Sequence, residues 1–122
     1  MASNYYKTKK VFKAGVKIAD SKAEARRLFV LENMQRAGII KDLQKQVTFE
    51  LQPSFKRNVW KKGKLKRVTI RKMEYTPDFV YYDNEKQCLI AEESKGFKTE
   101  PYKMRAKMFQ YKYSQYYFLE TS

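Results

Sequence analysis

The sequence predicts an α/β fold in the order helix, three strands, helix, strand, with a small hairpin ahead of the first helix. Three observations carry that prediction. Two segments follow capping signals and repeat apolar residues at three- and four-residue steps, as amphipathic helices do. The segments between and after them alternate in polarity or run apolar between turn residues, as strands do. A chain of 122 residues also suits one domain, residues 1–122, built on a single core without metal or disulfide staples.

The elements follow in order. Residues 1–7 read as a flexible basic arm, and Thr8 to Ala19 alternate basic and apolar around Ala14-Gly15, a hairpin with a tight turn. Asp20-Ser21 then offers an N-cap, with Glu24 at capping-box spacing from Ser21. The helix that follows carries Ala25, Leu28, Phe29 and Glu32 on a core-facing stripe, keeps Arg26, Arg27 and Arg36 wet, and stops near Gly38. Val47 to Phe55 alternates as a half-buried strand around Phe49 and Leu51, ended by Pro53. Lys56 to Arg67 holds seven Lys or Arg in twelve residues, with Trp60 among them and Gly63 near its middle, and reads as a protruding loop or hairpin tip. A strand from Val68 to Tyr82, a turn at Asp83-Asn84-Glu85-Lys86 and a strand from Gln87 to Ser94 come next. Glu100-Pro101 opens the second helix, which presents Tyr102, Ala106, Phe109 and Tyr113 along one side. Tyr116 to Leu119 closes as a short strand.

Composition narrows the chemistry. Lys and Arg number 27 against 13 Asp and Glu, a net charge of +14 that opposes compaction and favours nucleic acid or another polyanion. With no histidine, Ser/His and Cys/His catalysis and nearly all zinc chemistry fall away. A general base must be a carboxylate, a lysine or a metal-bound water. Cys88 stands alone in an apolar run, as a small buried hydrophobe in a reducing compartment does. No apolar run is long enough to span a membrane, and Met1-Ala2-Ser3-Asn4 does not open a signal peptide, so a cytoplasmic protein without membrane partners is expected.

The most chemical stretch is Tyr75-Thr76-Pro77-Asp78-Phe79-Val80-Tyr81-Tyr82, followed after a turn by Cys88-Leu89-Ile90-Ala91-Glu92-Glu93-Ser94-Lys95-Gly96. If the two strands pair as a hairpin, Asp78, Glu93 and Lys95 converge at one sheet edge. Two carboxylates can hold a hard cation, and a lysine can manage an attacking water. Glu92 points to the opposite face from Glu93 and Lys95, because neighbouring side chains alternate along a strand. It is expected to partner a neighbouring strand or the basic loop.

Pro77-Asp78 and Glu93-Ser94-Lys95, set within helix–strand–strand–strand–helix–strand, resemble the PD-(D/E)XK nuclease superfamily and its restriction-endonuclease-like core. The runs Asp20-Ser21-Lys22-Ala23-Glu24-Ala25-Arg26-Arg27, Leu51-Gln52-Pro53 and Lys95-Gly96-Phe97-Lys98-Thr99-Glu100 are similar to a family of small phage and prophage nuclease-like proteins, over about Tyr5 to Glu120. The resemblance implies roles. Asp78 and Glu93 would ligate Mg2+ or Mn2+, the backbone carbonyl of Ser94 would add a ligand, and Glu24 would reach the metal directly or through water. Lys95 would orient the water and offset charge on the phosphorane. No small-molecule cofactor is implied.

The activity so implied is metal-dependent endonucleolytic cleavage of DNA, selective for branched structures in the manner of a Holliday-junction resolvase acting in phage recombination or DNA processing. For a phage-encoded protein the site of action would be the bacterial host cytoplasm. Two symmetric cuts would require a homodimer. Lys56, Arg57, Trp60, Lys61, Lys62, Lys64, Lys66 and Arg67 are the expected DNA contacts, with Lys98, Lys103 and Lys107 as weaker candidates for backbone phosphate. Tyr5, Tyr6 and Trp60 are the aromatics expected to stack on bases, and the other tyrosines are expected in the core or on sheet faces. Competing readings are a nicking or double-strand endonuclease without junction preference, and a basic nucleic-acid-binding module without catalysis. In the blandest reading, Asp78 and Glu93 are surface acids, Glu24 is a helix cap and the basic loop is a solvated face.

Overall fold

Residues 15–94 and 98–121 are described by a computed structural model, residues 15–21 through their backbone alone. In chain order the elements are α1 (Gly15–Arg36), β1 (Ile40–Lys45), β2 (Phe49–Gln52), β3 (Phe55–Lys61), β4 (Lys64–Ile70), β5 (Met73–Tyr75), β6 (Phe79–Asp83), β7 (Cys88–Ser94), α2 (Glu100–Lys112) and β8 (Tyr116–Thr121). The chain is a mixed α/β protein around a four-stranded sheet ordered β1-β6-β7-β8. The first three strands run antiparallel, and β8 lies parallel to β7, with α2 as the crossover. β2 pairs with β5 and β3 pairs with β4 in two separate two-stranded ribbons.

Both faces of the main sheet are covered, which is why β6 is buried at nearly every position rather than at alternate ones. On one face Leu31 of α1 packs with Ile40, Phe79, Tyr81 and Ile90. On the other, Tyr102, Ala106 and Phe109 of α2 pack with Val80, Ala91, Leu51 and Tyr75. Phe109 is the hub of this second cluster, edge-on to Phe49 at 5.0 Å and stacked on Tyr113 at 5.4 Å.

The helix ends are set by local chemistry. At the end of α1, Ile39 N–H reaches Met34 O and Gly38 N–H reaches Gln35 O, a Schellman closure in which Gly38 takes φ +81°. At the start of α2, the Thr99 side chain accepts the Tyr102 N–H and Pro101 occupies the first turn. The β6–β7 turn is held by Asp83, whose Oδ1 accepts the N–H groups of Glu85 and Lys86. Those bonds, led by Lys86, hold the Asp83 carboxyl below the usual range.

Several sequence expectations are corrected. Gly15–Ala19 is already helical, so the expected hairpin does not extend there; its residues 8–14, like the arm at 1–7, lie outside the described residues. Asp20 and Ser21 are therefore inside α1, and Glu24 cannot close a capping box with them. The buried stripe is also rotated from the expected one. Leu31 is its centre, with Leu28 and Met34 beside it, whereas Ala25 and Glu32 are exposed and Phe29 is 63% exposed. Arg27 turns inward because the sheet offers it a buried carboxylate.

The main sheet's first strand is β1, not the Val47–Phe55 segment, which supplies β2. A bulge between Lys41 and Gln44, with Asp42 at φ +59°, breaks the two-residue alternation that marks a strand in sequence. The long strand expected from Val68 to Tyr82 is divided among β4, β5 and β6. Pro77, which has no N–H for a ladder, marks the last break. Cys88 is half-buried rather than enclosed. Among the described residues no helix is long and apolar enough to cross a membrane.

Glu92 is 0% exposed and receives three bonds: Arg27 Nε at 2.6 Å, Arg27 Nη2 at 3.0 Å and the Tyr81 hydroxyl at 2.7 Å. Its partners are thus the neighbouring strand β6, as expected, and the first helix, rather than the basic loop. Removing one member of such a pair leaves a buried charge uncompensated. Arg27→Ala should therefore lower unfolding free energy by about 3 kcal/mol in urea denaturation. A loss no larger than the roughly 0.5 kcal/mol of an ordinary surface change would contradict this.

Candidate functional site

Strand alternation decides which acids can meet. Val80 and Ala91 pack toward α2, whereas Phe79, Tyr81 and Ile90 pack toward α1. Asp78 precedes Val80 by two residues and Glu93 follows Ala91 by two, so both belong to the α2 side. Phe79 is paired with Glu92, which sets Asp78 opposite Glu93 at the end of the two central strands.

Backbone and side-chain bonds fix the pair. The Ser94 N–H donates to Asp78 Oδ2 at 2.8 Å, and the Gln46 N–H donates to the Asp78 carbonyl at 3.1 Å. Pro77, fully buried, anchors the residue just before. Glu93 is buried, and its Oε1 accepts the Tyr75 hydroxyl at 2.6 Å. Burial first, and then that bond, push the Tyr75 hydroxyl far above its ordinary range, so it stays a donor at any working pH. Beside it, Tyr102 donates to Glu120 Oε2 at 2.6 Å, and Lys98 Nζ stands 3.8 Å from Glu120 Oε1. Burial, the Glu120 bond and the nearby Glu93 charge all raise the Tyr102 pKa.

Glu93, Tyr75 and Tyr102 line an open cleft of about 520 Å³, with Thr76 and Thr99 on its walls, Arg105 exposed beside them, and Lys72 paired with Glu74 at 3.0 Å. The arrangement sets two carboxyl groups on the α2 side of the sheet end, one of them lining the cleft.

Of the expected site residues, the fold brings Asp78, Glu93 and Ser94 together. Lys95 lies outside the described residues, as do Tyr5 and Tyr6. Glu24 is half-buried one helical turn before Arg27 and Leu28, on the stripe of α1 that meets the sheet's other face. Among the described residues no group of three His, Cys, Asp or Glu side chains is placed to hold a metal ion, so Glu24 does not complete a triad with Asp78 and Glu93. Lys56, Arg57, Lys61, Lys62, Lys64, Lys66 and Arg67 are all exposed on or between β3 and β4. Lys98 and Lys103 are exposed beside α2, where Lys103 also pairs with Glu100 at 3.2 Å.

Sequence reasoning missed Tyr75, Lys72 and Arg105 as parts of this site. The step from Tyr102 to Arg105, three residues on one helix, could have placed that guanidinium near the cleft. Tyr75 and Lys72 arrive through the β2–β5 ribbon, a long-range pairing with no local sign. Tyr111, 89% exposed, and Tyr117 also depart from the expectation that only Tyr5, Tyr6 and Trp60 lie open.

These features define an α/β protein with two carboxyl groups braced at a sheet end beside an open polar cleft. Residues 3–119 match the family described as Protein of unknown function (DUF1064), and the chain belongs to it. No curated protein and no solved structure matches the chain.

Tyr75→Phe removes the donor to a buried carboxylate without changing the ring. It should cost about 2 kcal/mol of stability in urea denaturation with EDTA present. An unchanged unfolding free energy would mean that the Tyr75–Glu93 bond does not hold in solution.

Proposed function

We propose that this chain is a metal-dependent DNA endonuclease of the PD-(D/E)XK type, selective for branched DNA and acting as a homodimer in phage recombination or DNA processing. The observation that carries the reading is the cross-strand placement of Asp78 and Glu93, tied by the Ser94 amide, in a chain of net charge +14. The order α1, β1, β6, β7, α2, β8 around one sheet, with the last strand parallel, supports the same core. A symmetric four-way junction needs two cuts, which is the reason for the homodimer.

The donor set fits magnesium or manganese. It offers oxygens only, and such ions bind through one or two carboxylates while water and substrate phosphate complete the shell. A bound ion would lower the pKa of water and stabilise charge on the attacked phosphate. In this reading Asp78, Glu93 and the Ser94 carbonyl hold it, and Tyr75 fixes the Glu93 carboxylate. Lys95 orients the attacking water and offsets charge on the phosphate. Lys72 and Arg105 draw the phosphate backbone to the cleft. Glu24 stands outside this set, since α1 packs on the sheet's other face.

Cleavage of labelled four-way junction and matched linear duplex, in magnesium, manganese or EDTA, tests the proposal. Paired metal-dependent cuts in the junction are expected from the wild type, and none from Asp78→Asn or Glu93→Gln, which should still bind DNA. Near-normal turnover in either variant would overturn the site. Tight binding without cleavage under any condition would replace the proposal with a non-catalytic binding module, and equal cutting of linear duplex would remove the branch preference.

A further inference from the structure

β3 and β4 pair only with each other, and nearly every residue on them is exposed. The connection is a two-residue turn, Lys62-Gly63, with both residues at positive φ (+51° and +74°), which suits the right-handed twist of a ribbon. Lys61 pairs with Lys64 at the turn, and Trp60 pairs with Leu65 one step behind. Cross-strand partners share a face, so the indole and the Leu65 side chain form one apolar pair near the tip. Trp60 is 73% exposed and Leu65 55% exposed. Leaving both in water forfeits burial, and the fold gains nothing visible from either.

The charges are distributed to suit a nucleic acid. Lys61 and Lys64 alternate to the face opposite Trp60, together with Arg57 and Lys66, where they can follow phosphates. An indole gains from a nucleic acid chiefly by stacking on a base face. Paired bases inside a continuous duplex show only their edges in the grooves, whereas a branch point exposes the faces of terminal pairs.

We propose that the Trp60–Leu65 pair is a wedge that stacks on the exposed base faces at a DNA branch point, while the ribbon's lysines and arginines bind the flanking phosphates. This rests on the DNA reading above and supplies the element that prefers branched to continuous duplex.

Trp60 is the single tryptophan of the chain, so indole fluorescence reports the tip alone. The full chain, in EDTA to prevent cleavage, is titrated with a four-way junction and with a duplex closed by loops at both ends, and anisotropy of labelled DNA gives the bound fraction. The junction should quench Trp60 strongly, whereas the paired stem should leave it nearly unchanged at equal occupancy. Trp60→Ala should weaken junction binding about tenfold, and Trp60→Phe should recover most of it. Equal quenching by a stem long enough to dilute its closing loops would overturn the wedge in favour of groove reading. Junction binding without quenching, or unaltered by Trp60→Ala, would overturn it outright. Cleavage activity with no quenching would sink the wedge alone, whereas absence of all DNA binding would sink both readings.

Discussion

The register between β6 and β7 is the constraint on which the rest of the structure depends. Phe79 opposite Glu92 and Asp83 opposite Cys88 put one of two adjacent glutamates on each side of the sheet. A slip of one residue would exchange them, sending Glu93 into the α1 cluster and Glu92 toward the cleft. Both ends of the hairpin oppose that slip. At the turn, Asp83 takes the N–H groups of Glu85 and Lys86; at the open end, the Ser94 amide reaches Asp78. Between them, Arg27 and Tyr81 both donate to Glu92.

The two glutamates thus share a backbone but not an environment. Glu92 is neutralised by a guanidinium from α1 and serves as a buried joint between helix and sheet. Glu93 accepts the Tyr75 hydroxyl, which orients it on the cleft side of the sheet. Asp78 stands opposite Glu93, tied to the β7 end by the Ser94 amide.

The sequence reveals these parts unevenly, for physical reasons. Period-two alternation in two short strands is enough to separate Glu92 from Glu93, and a helix opening with Glu100-Pro101 announces itself, as does a turn at Gly63. β1 is hidden because its bulge at Asp42 spoils the alternation. The face of α1 is misread because Arg27, a charged residue, is drawn inward by a carboxylate 65 positions away. Tyr75 is invisible as a site residue for a similar reason: its role depends on Glu93, and the pairing of β2 with β5 delivers it. Local periodicity reports which face a residue takes, but not which distant partner waits there.

The central claim is that Asp78 and Glu93 together form a divalent-cation site, and linkage offers its most direct test. A ligand that binds only the folded state raises stability by about 2.7 kcal/mol at a hundred times its dissociation constant. Thermal unfolding should therefore be followed against manganese concentration for the wild type and for Asp78→Asn. The account predicts a midpoint that climbs with manganese in the wild type and stays flat in the variant. The same climb in both proteins, or none in either, would contradict it.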